Sequence, residues 1–258
     1  MVRAKRKIKI AKIPYIVPED EQLAERLNSV LAVIYLIFNE GYSAASGPAL
    51  IRQDMCNEAI RLVDILGDLM PGESEVRGLL ALMLLHNARQ TARLQDGDLI
   101  TLGEQDRSLW DLEAMSRGRE LLIGTLASGK IGPYQLQAAI SAVHSEAADL
   151  NSTDWRQIFL LYQELYKYQP SPIIVLNKAV ALSYFDGPEA GLKLLGEISG
   201  SDSLASYMPF HAAKAAMLAR AGSTAQARRA FETALAMGGN EGERDYLRKQ
   251  LVELEPQD

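Results

Sequence analysis

The stretch "HAAKAAMLARAGSTAQARRAFETALAMGGN", residues 211–240, constrains the fold of this chain more than any other. Ala215 and Leu218 share one helical face, Gly222 makes a turn, and Ala227, Phe231, Ala234 and Leu235 line a returning helix. Small residues where two helices touch let their axes approach, and one large aromatic fills the gap between them. Ser223 and Gln226 have the spacing of a capping box, which predicts that the second helix starts there. A pair of this kind buries one face and must stack on another pair to cover the rest.

The same register recurs upstream. "SPIIVLNKAVALSYFDGPEAGLKLLGEI" offers Ala179, Leu182, Asp186, Gly191 and Leu195. One unit earlier, "DWRQIFLLYQELYKYQPSP" offers Ile158, Tyr162, Leu165 and Pro170. The turns at Asp186 and Gly222 lie 36 residues apart, close to the period of about 34 of tetratricopeptide repeats. The expected fold is all-α, a tetratricopeptide-like solenoid of helical pairs with a concave surface.

The first half is also helical in pattern. "EQLAERLNSVLAVIYLIF" puts Leu23, Leu27, Leu31, Ile34 and Phe38 on one stripe, then becomes apolar all round, which predicts an end buried on every side. A second helix is expected from about Leu50 to Leu69, and a third, "EVRGLLALMLLHNAR", with Ser74 as its cap. The helical rhythm fails near residues 92–110. There Asp96-Gly97 is a hairpin-type turn between Leu94 and the run Leu99, Ile100 and Leu102. Helix resumes near Leu112 and stops at "ASGKIGP". Three segments result: a basic tail at 1–18, a helical subdomain with the insertion at 19–128, and the repeats at 129–258.

Signs of chemistry are sparse. His86, His144 and His211 lie in no metal-ligand pattern, and no nucleophile elbow occurs. "GTLASGKI", Gly124 to Ile131, resembles a phosphate loop but ends in Ile131 where a hydroxyl is needed and follows a helix rather than a strand; it reads as a helix stop. No catalytic residue, metal or cofactor is expected. Cys56 stands alone in an apolar run, which excludes an internal disulfide and suits a cytoplasmic setting. The longest apolar run, Val30 to Phe38, is about half of what a membrane span needs, so no membrane partner is expected.

Polar residues embedded in apolar helices are the better functional candidates. They are Asn39, Glu40 and Tyr42; His86 and Arg89; Gln105, Asp106, Arg107 and Trp110; Gln135, Gln137 and His144; and Asn177. Burying such groups is costly unless they are paired. Two readings stand: they pair with one another and fix the insertion against the helices, or some line a groove for a peptide, a protein or a small ligand. His86 with Asp106 offers a dyad, with no nucleophile beside it.

The start of the chain has the opposite charge from the rest. "VRAKRKIKIAK" carries six basic side chains and no acid, which leaves 21 basic and 33 acidic residues for the body. So acidic a body repels phosphates, and nucleic-acid contact is expected only from the stub or from further sequence. Arg3, Lys5, Arg6 and Lys7 look like the last turns of a basic helix stopped by Pro14.

"VRAKRKI", "IPYIVP", "VLAVIYLIFNEGYSA", "LMPGESEVRGLLALMLLHNAR", "QDRSLWD", "GPYQLQAAISAVHSEA" and "PSPIIVLNKAVALS" together resemble the tetratricopeptide-like C-terminal extension of extracytoplasmic-function RNA polymerase sigma factors. The resemblance runs over essentially the whole chain. It implies that the stub ends sigma region 4, the helix-turn-helix that reads the −35 promoter element, and that region 2 and most of region 4 are missing. RNA polymerase core and promoter DNA would be engaged through those regions, which would also be intramolecular partners of the extension. The extension would act as a built-in regulator of transcription initiation. The alternative is a free-standing tetratricopeptide adaptor with no transcriptional role.

Overall fold

The computed structural model describes residues 20–42, 52–95, 98–126 and 129–255. The basic stub, with Arg3, Lys5, Arg6 and Lys7, lies outside the described residues, as does the Asp96-Gly97 turn. Twelve α-helices are present among the described residues, with a two-strand hairpin as the sole sheet. The fold is an all-α solenoid of neighbouring helix pairs.

α1 (Asp20–Tyr42) packs on α2 (Gln53–Leu69), and α3 (Ser74–Asn87) touches both. From Leu27 on, the stripe on α1 forms as its spacing predicts: Leu27, Leu31, Ile34 and Phe38 are buried, while the side chain of Leu23 lies outside the described residues. The expectation that its apolar end is buried on every side is overturned. Val30, Val33 and Leu36 are 43%, 57% and 66% exposed, because α2 and α3 together cover only one side of the helix. The helix enclosed all round is α3, in which Leu79 to Leu85 are buried without a break. α3 achieves this by touching α1, α2, α4 (Leu112–Leu126) and α5 (Pro133–Glu146). Each leucine so buried contributes roughly 1.5–3 kcal/mol.

Two expected helix caps do not form. Ser74 does not cap α3; it is the first helical residue, and its hydroxyl donates to the Lys130 carbonyl at 3.1 Å and accepts from Gln135 Nε2 at 3.2 Å. Ser223 stands at the N-cap of α11 without a capping bond, because the Gln226 amide is already taken by the Ser223 carbonyl at 3.0 Å. The reciprocal capping box occurs one helix later, where Asn240 and Glu243 each receive the other's backbone amide at 2.9 Å.

After α3 the chain makes a short 3₁₀ turn (Gln90–Arg93) and the hairpin, β1 (Leu94–Gln95) against β2 (Asp98–Leu99), antiparallel with Leu94 opposite Leu99. A second 3₁₀ turn, Arg107–Leu109, leads into α4. The insertion crosses to the far end of the molecule. β2 lies beside α12 (Glu241–Glu253), and Lys249 Nζ meets Glu104 Oε1 at 3.3 Å.

The repeats follow as α6 (Trp155–Tyr168), α7 (Pro172–Phe185), α8 (Pro188–Ile198), the single turn α9 (Asp202–Ala205), α10 (Met208–Arg220) and α11 (Thr224–Ala236). Gly222 takes φ +74° between α10 and α11, which a residue with a Cβ rarely adopts. At Gly191 a Cβ would stand 2.8 Å from the Ala179 carbonyl oxygen, so α8 can lie on α7 only with glycine there. The apolar interior is a row of separate clusters, from Leu31, Phe38 and Leu82 at one end to Ala215, Phe231 and Leu247 at the other. Such a row suits a solenoid in which each unit contacts its neighbours. The first cluster takes in Ala138 and Ala142 of α5, from beyond residue 128. No described helix is long and apolar enough to cross a membrane.

Candidate functional site

α5 is fastened at both ends by charged side chains from distant parts of the chain. At its start, the Glu75 carboxylate accepts the amides of Tyr134 at 3.0 Å and Gln135 at 3.1 Å. An anion at a helix N-terminus meets both the free amides and the positive end of the dipole. At its end, Arg107 Nη1 donates to the carbonyls of His144 at 2.8 Å and Ala147 at 2.7 Å, and its guanidinium lies 4.4 Å over the Trp110 ring. Substituting Arg107→Ala removes two charge-assisted bonds and is expected to cost about 2 kcal/mol in urea unfolding; a cost below about 0.5 kcal/mol would contradict the role.

The face that α5 presents inward carries Gln137, Ile140, Ser141 and His144, at spacings of three and four. It forms one wall of a cavity of about 340 Å³. α3 and its end supply Leu82, His86 and Arg89; α6 supplies Tyr162, Leu165 and Gln169; α7 supplies Ile173, Ile174 and Asn177. Leu102 of the insertion completes the wall. Leu82 and Ser141, 1% and 3% exposed, form the floor, and the exposed Gln169 and Ile173 mark the mouth.

Of the residues singled out by sequence, His86, Arg89, Gln137, His144 and Asn177 therefore come together. The others lock the fold. Glu40 pairs with Arg52. Tyr42 stacks on Phe38 and receives the Arg93 guanidinium 3.6 Å above its ring. Asn39 hydrogen-bonds the Tyr35 side chain. Gln105 holds the Ile100 carbonyl at 3.2 Å, and Gln135 the Lys130 carbonyl at 2.9 Å. Trp110 is buried against Ala88, Ala92 and Met115 and does not line the cavity.

The His86–Asp106 dyad is overturned. Asp106 is exposed and caps its own 3₁₀ turn through Ser108, which leaves its carboxylate engaged there. His86 instead lies among the rings of Tyr42 and Phe38. Ser141, Tyr162 and Gln169 were absent from the sequence-based candidates. Their signal was the helical spacing to Gln137, His144 and Leu165.

The cavity's electrostatics are unusual for so acidic a chain. Arg89 brings a guanidinium, and no carboxylate lines the walls. Burial, followed by the charges of Arg89 and Arg93, holds the His86 imidazole well below its ordinary value. Burial and then Arg89 and Arg107 bring His144 down to about 4. Both are neutral near pH 7. Burial also pushes the Tyr162 phenol up to about 12, so it too stays neutral. Among the described residues, no group of three or more His, Cys, Asp or Glu is arranged to hold a metal.

Residues 26–125 match a family of unknown function, DUF6596. An uncharacterized protein of Rhizobium meliloti (strain 1021) is 41% identical over 255 residues. No solved structure matches. The alignment covers 98% of this chain, while the chain spans 60% of that relative's length; the family match is confined to the stretch from α1 to α4, whereas the similarity to the relative runs over nearly the whole chain.

Proposed function

We propose that this chain is the regulatory C-terminal module of an extracytoplasmic-function sigma factor, which controls transcription initiation by packing against the promoter-reading regions. The reading rests first on the ordered motifs that resemble that extension. The observation that carries it further is the outer face of α1. Val30, Val33 and Leu36 form an exposed apolar strip on the helix that follows the basic stub in sequence. Contiguous exposed apolar surface of this kind marks interaction sites. The relative's additional length, about 40% of it outside the match, leaves room for such regions. DNA and polymerase contact would belong to those regions, in keeping with the acidic body.

Val33→Glu and Leu36→Glu, made in a polypeptide carrying sigma regions 2 and 4 ahead of this chain, are expected to change promoter-dependent transcription at least fivefold. Deletion of the module should change it in the same direction. Unchanged output from both would remove the reading. The adaptor alternative uses the same solenoid but gives the basic stub no role. Reading the genomic sequence ahead of codon 1 for an in-frame helix-turn-helix separates the two.

A further inference from the structure

Arg89 is 8% exposed, its Nε is buried without a hydrogen bond, and no described residue accepts from its guanidinium. Three other partly enclosed arginines have acceptors, although the Nε of Arg244 is, like that of Arg89, buried and unbonded. Arg93 donates to the Tyr42 carbonyl, Arg107 to two carbonyls, and Arg220 to the Ser183 hydroxyl. A buried cation without a partner is strongly disfavoured, so its retention calls for a compensating group. Further groups around the same cavity lack partners. Ser141 Oγ and His144 Nδ1 are buried and unbonded, and Tyr162 lines the same cavity. Unbonded polar groups and a single fixed positive charge, with no acid, thus line one cavity whose apolar walls include Leu82, Ile140, Leu165 and Ile174.

We propose that the cavity between α3, α5, α6 and α7 binds a small monocarboxylate with a short apolar body, its carboxylate taken by Arg89 and its body lying on Leu82, Ile140 and Leu165. A carboxylate matches the planar fork of a guanidinium. One fixed cation balances one negative charge, which favours a carboxylate over a doubly charged phosphate. The volume of about 340 Å³ sits at the lower end of small-molecule sites, which span roughly 300–1,000 Å³. The site binds rather than reacts: Ser141 Oγ and His144 Nδ1 lie on one helix yet neither bonds the other, so no nucleophile is activated. This inference rests on the cavity alone and stands or falls apart from the transcriptional reading.

The test titrates the 258-residue chain with 4-methylpentanoate and benzoate, with their neutral amides, and with inorganic phosphate, by calorimetry and by histidine side-chain NMR. Saturable binding of at least one carboxylate is expected, with movement of the His86 and His144 signals and about tenfold or more weaker binding of the matching amide. Arg89→Met should weaken carboxylate binding by a similar factor while the ligand-free chain melts no lower than the parent; Arg89→Lys should fall between. Amides that bind as well as the acids, phosphate that binds more tightly, or no binding at millimolar probe would each overturn the proposal. So would a ligand-free Arg89→Met chain that melts clearly lower, since Arg89 would then be a structural residue.

Discussion

Phe231→Ala is expected to destabilise the C-terminal repeats by about 3–5 kcal/mol. Phe231 has no solvent exposure and packs with Ala215, Ala234 and Leu247, also fully buried. Deleting the ring removes its transfer free energy and leaves a cavity. The cost should lie high in that range because alanines at 215, 227 and 234 have no longer side chain to swing into the space. The contacts of α11 run mainly to α10 and α12, so the damage should stay local. Hydrogen exchange is therefore the suitable readout. Amides of 208–253 should lose most of their protection while those of α3 keep theirs. A loss below about 1 kcal/mol, or a uniform loss along the whole chain, would contradict the picture of a row of separately packed units. Exposed Glu232, one residue along, is the control; Glu232→Ala should change little.

The repeat core was legible because its signal is local. Ala215, Gly222, Ala227 and Phe231 lie within one helix-turn-helix, and spacing alone assigns their faces. The burial of α1 was misread because its two faces are alike in composition. Val30, Val33 and Leu36 are as apolar as Leu31 and Ile34, and only the positions of α2 and α3 decide which set is covered. The clamp on α5 was beyond reach for a related reason. Glu75 lies 59 residues from the amide of Tyr134, and nothing in a carboxylate's sequence neighbourhood names the helix end it will cap. The candidate site was half legible. A histidine or arginine inside an apolar helix stands out, so His86, Arg89 and His144 were found. Ser141 and Tyr162 did not stand out, because serine and tyrosine are ordinary on helix surfaces. Which polar groups would pair off and which would stay unpaired depended on Arg107 finding carbonyls and Arg89 finding none.

Acidification from about pH 7 to about pH 5 is expected to lower unfolding free energy by about 2–3 kcal/mol through His86 and His144 together. The ordinary imidazole value is 6.5, and the fold holds His86 well below it and His144 at about 4. Burial is the main cause for both. Arg89 then acts on both rings, Arg93 on His86 and Arg107 on His144. Since the folded values are depressed, the unfolded chain takes up protons first as pH falls through 6.5. Stability is whole above that value and declines with falling pH until the folded imidazoles titrate in turn. Each fully shifted histidine gives a slope of about 1.4 kcal/mol per pH unit; the figure for the pair is discounted because His86 and His144 are only partly enclosed. Glu58, Glu104, Asp106 and Asp149 also have lowered values, but their ordinary range begins at 4.5 or below, so the interval from pH 7 to 5 isolates the histidines. Urea unfolding of the parent, His86→Gln and His144→Gln chains at the two pH values measures this; each variant should flatten the dependence by part of the whole. Saturating 4-methylpentanoate should flatten it as well, because a carboxylate on Arg89 offsets the charge that helps hold both rings neutral. A parent chain equally stable at both pH values would mean that the imidazoles are not enclosed as the cavity requires.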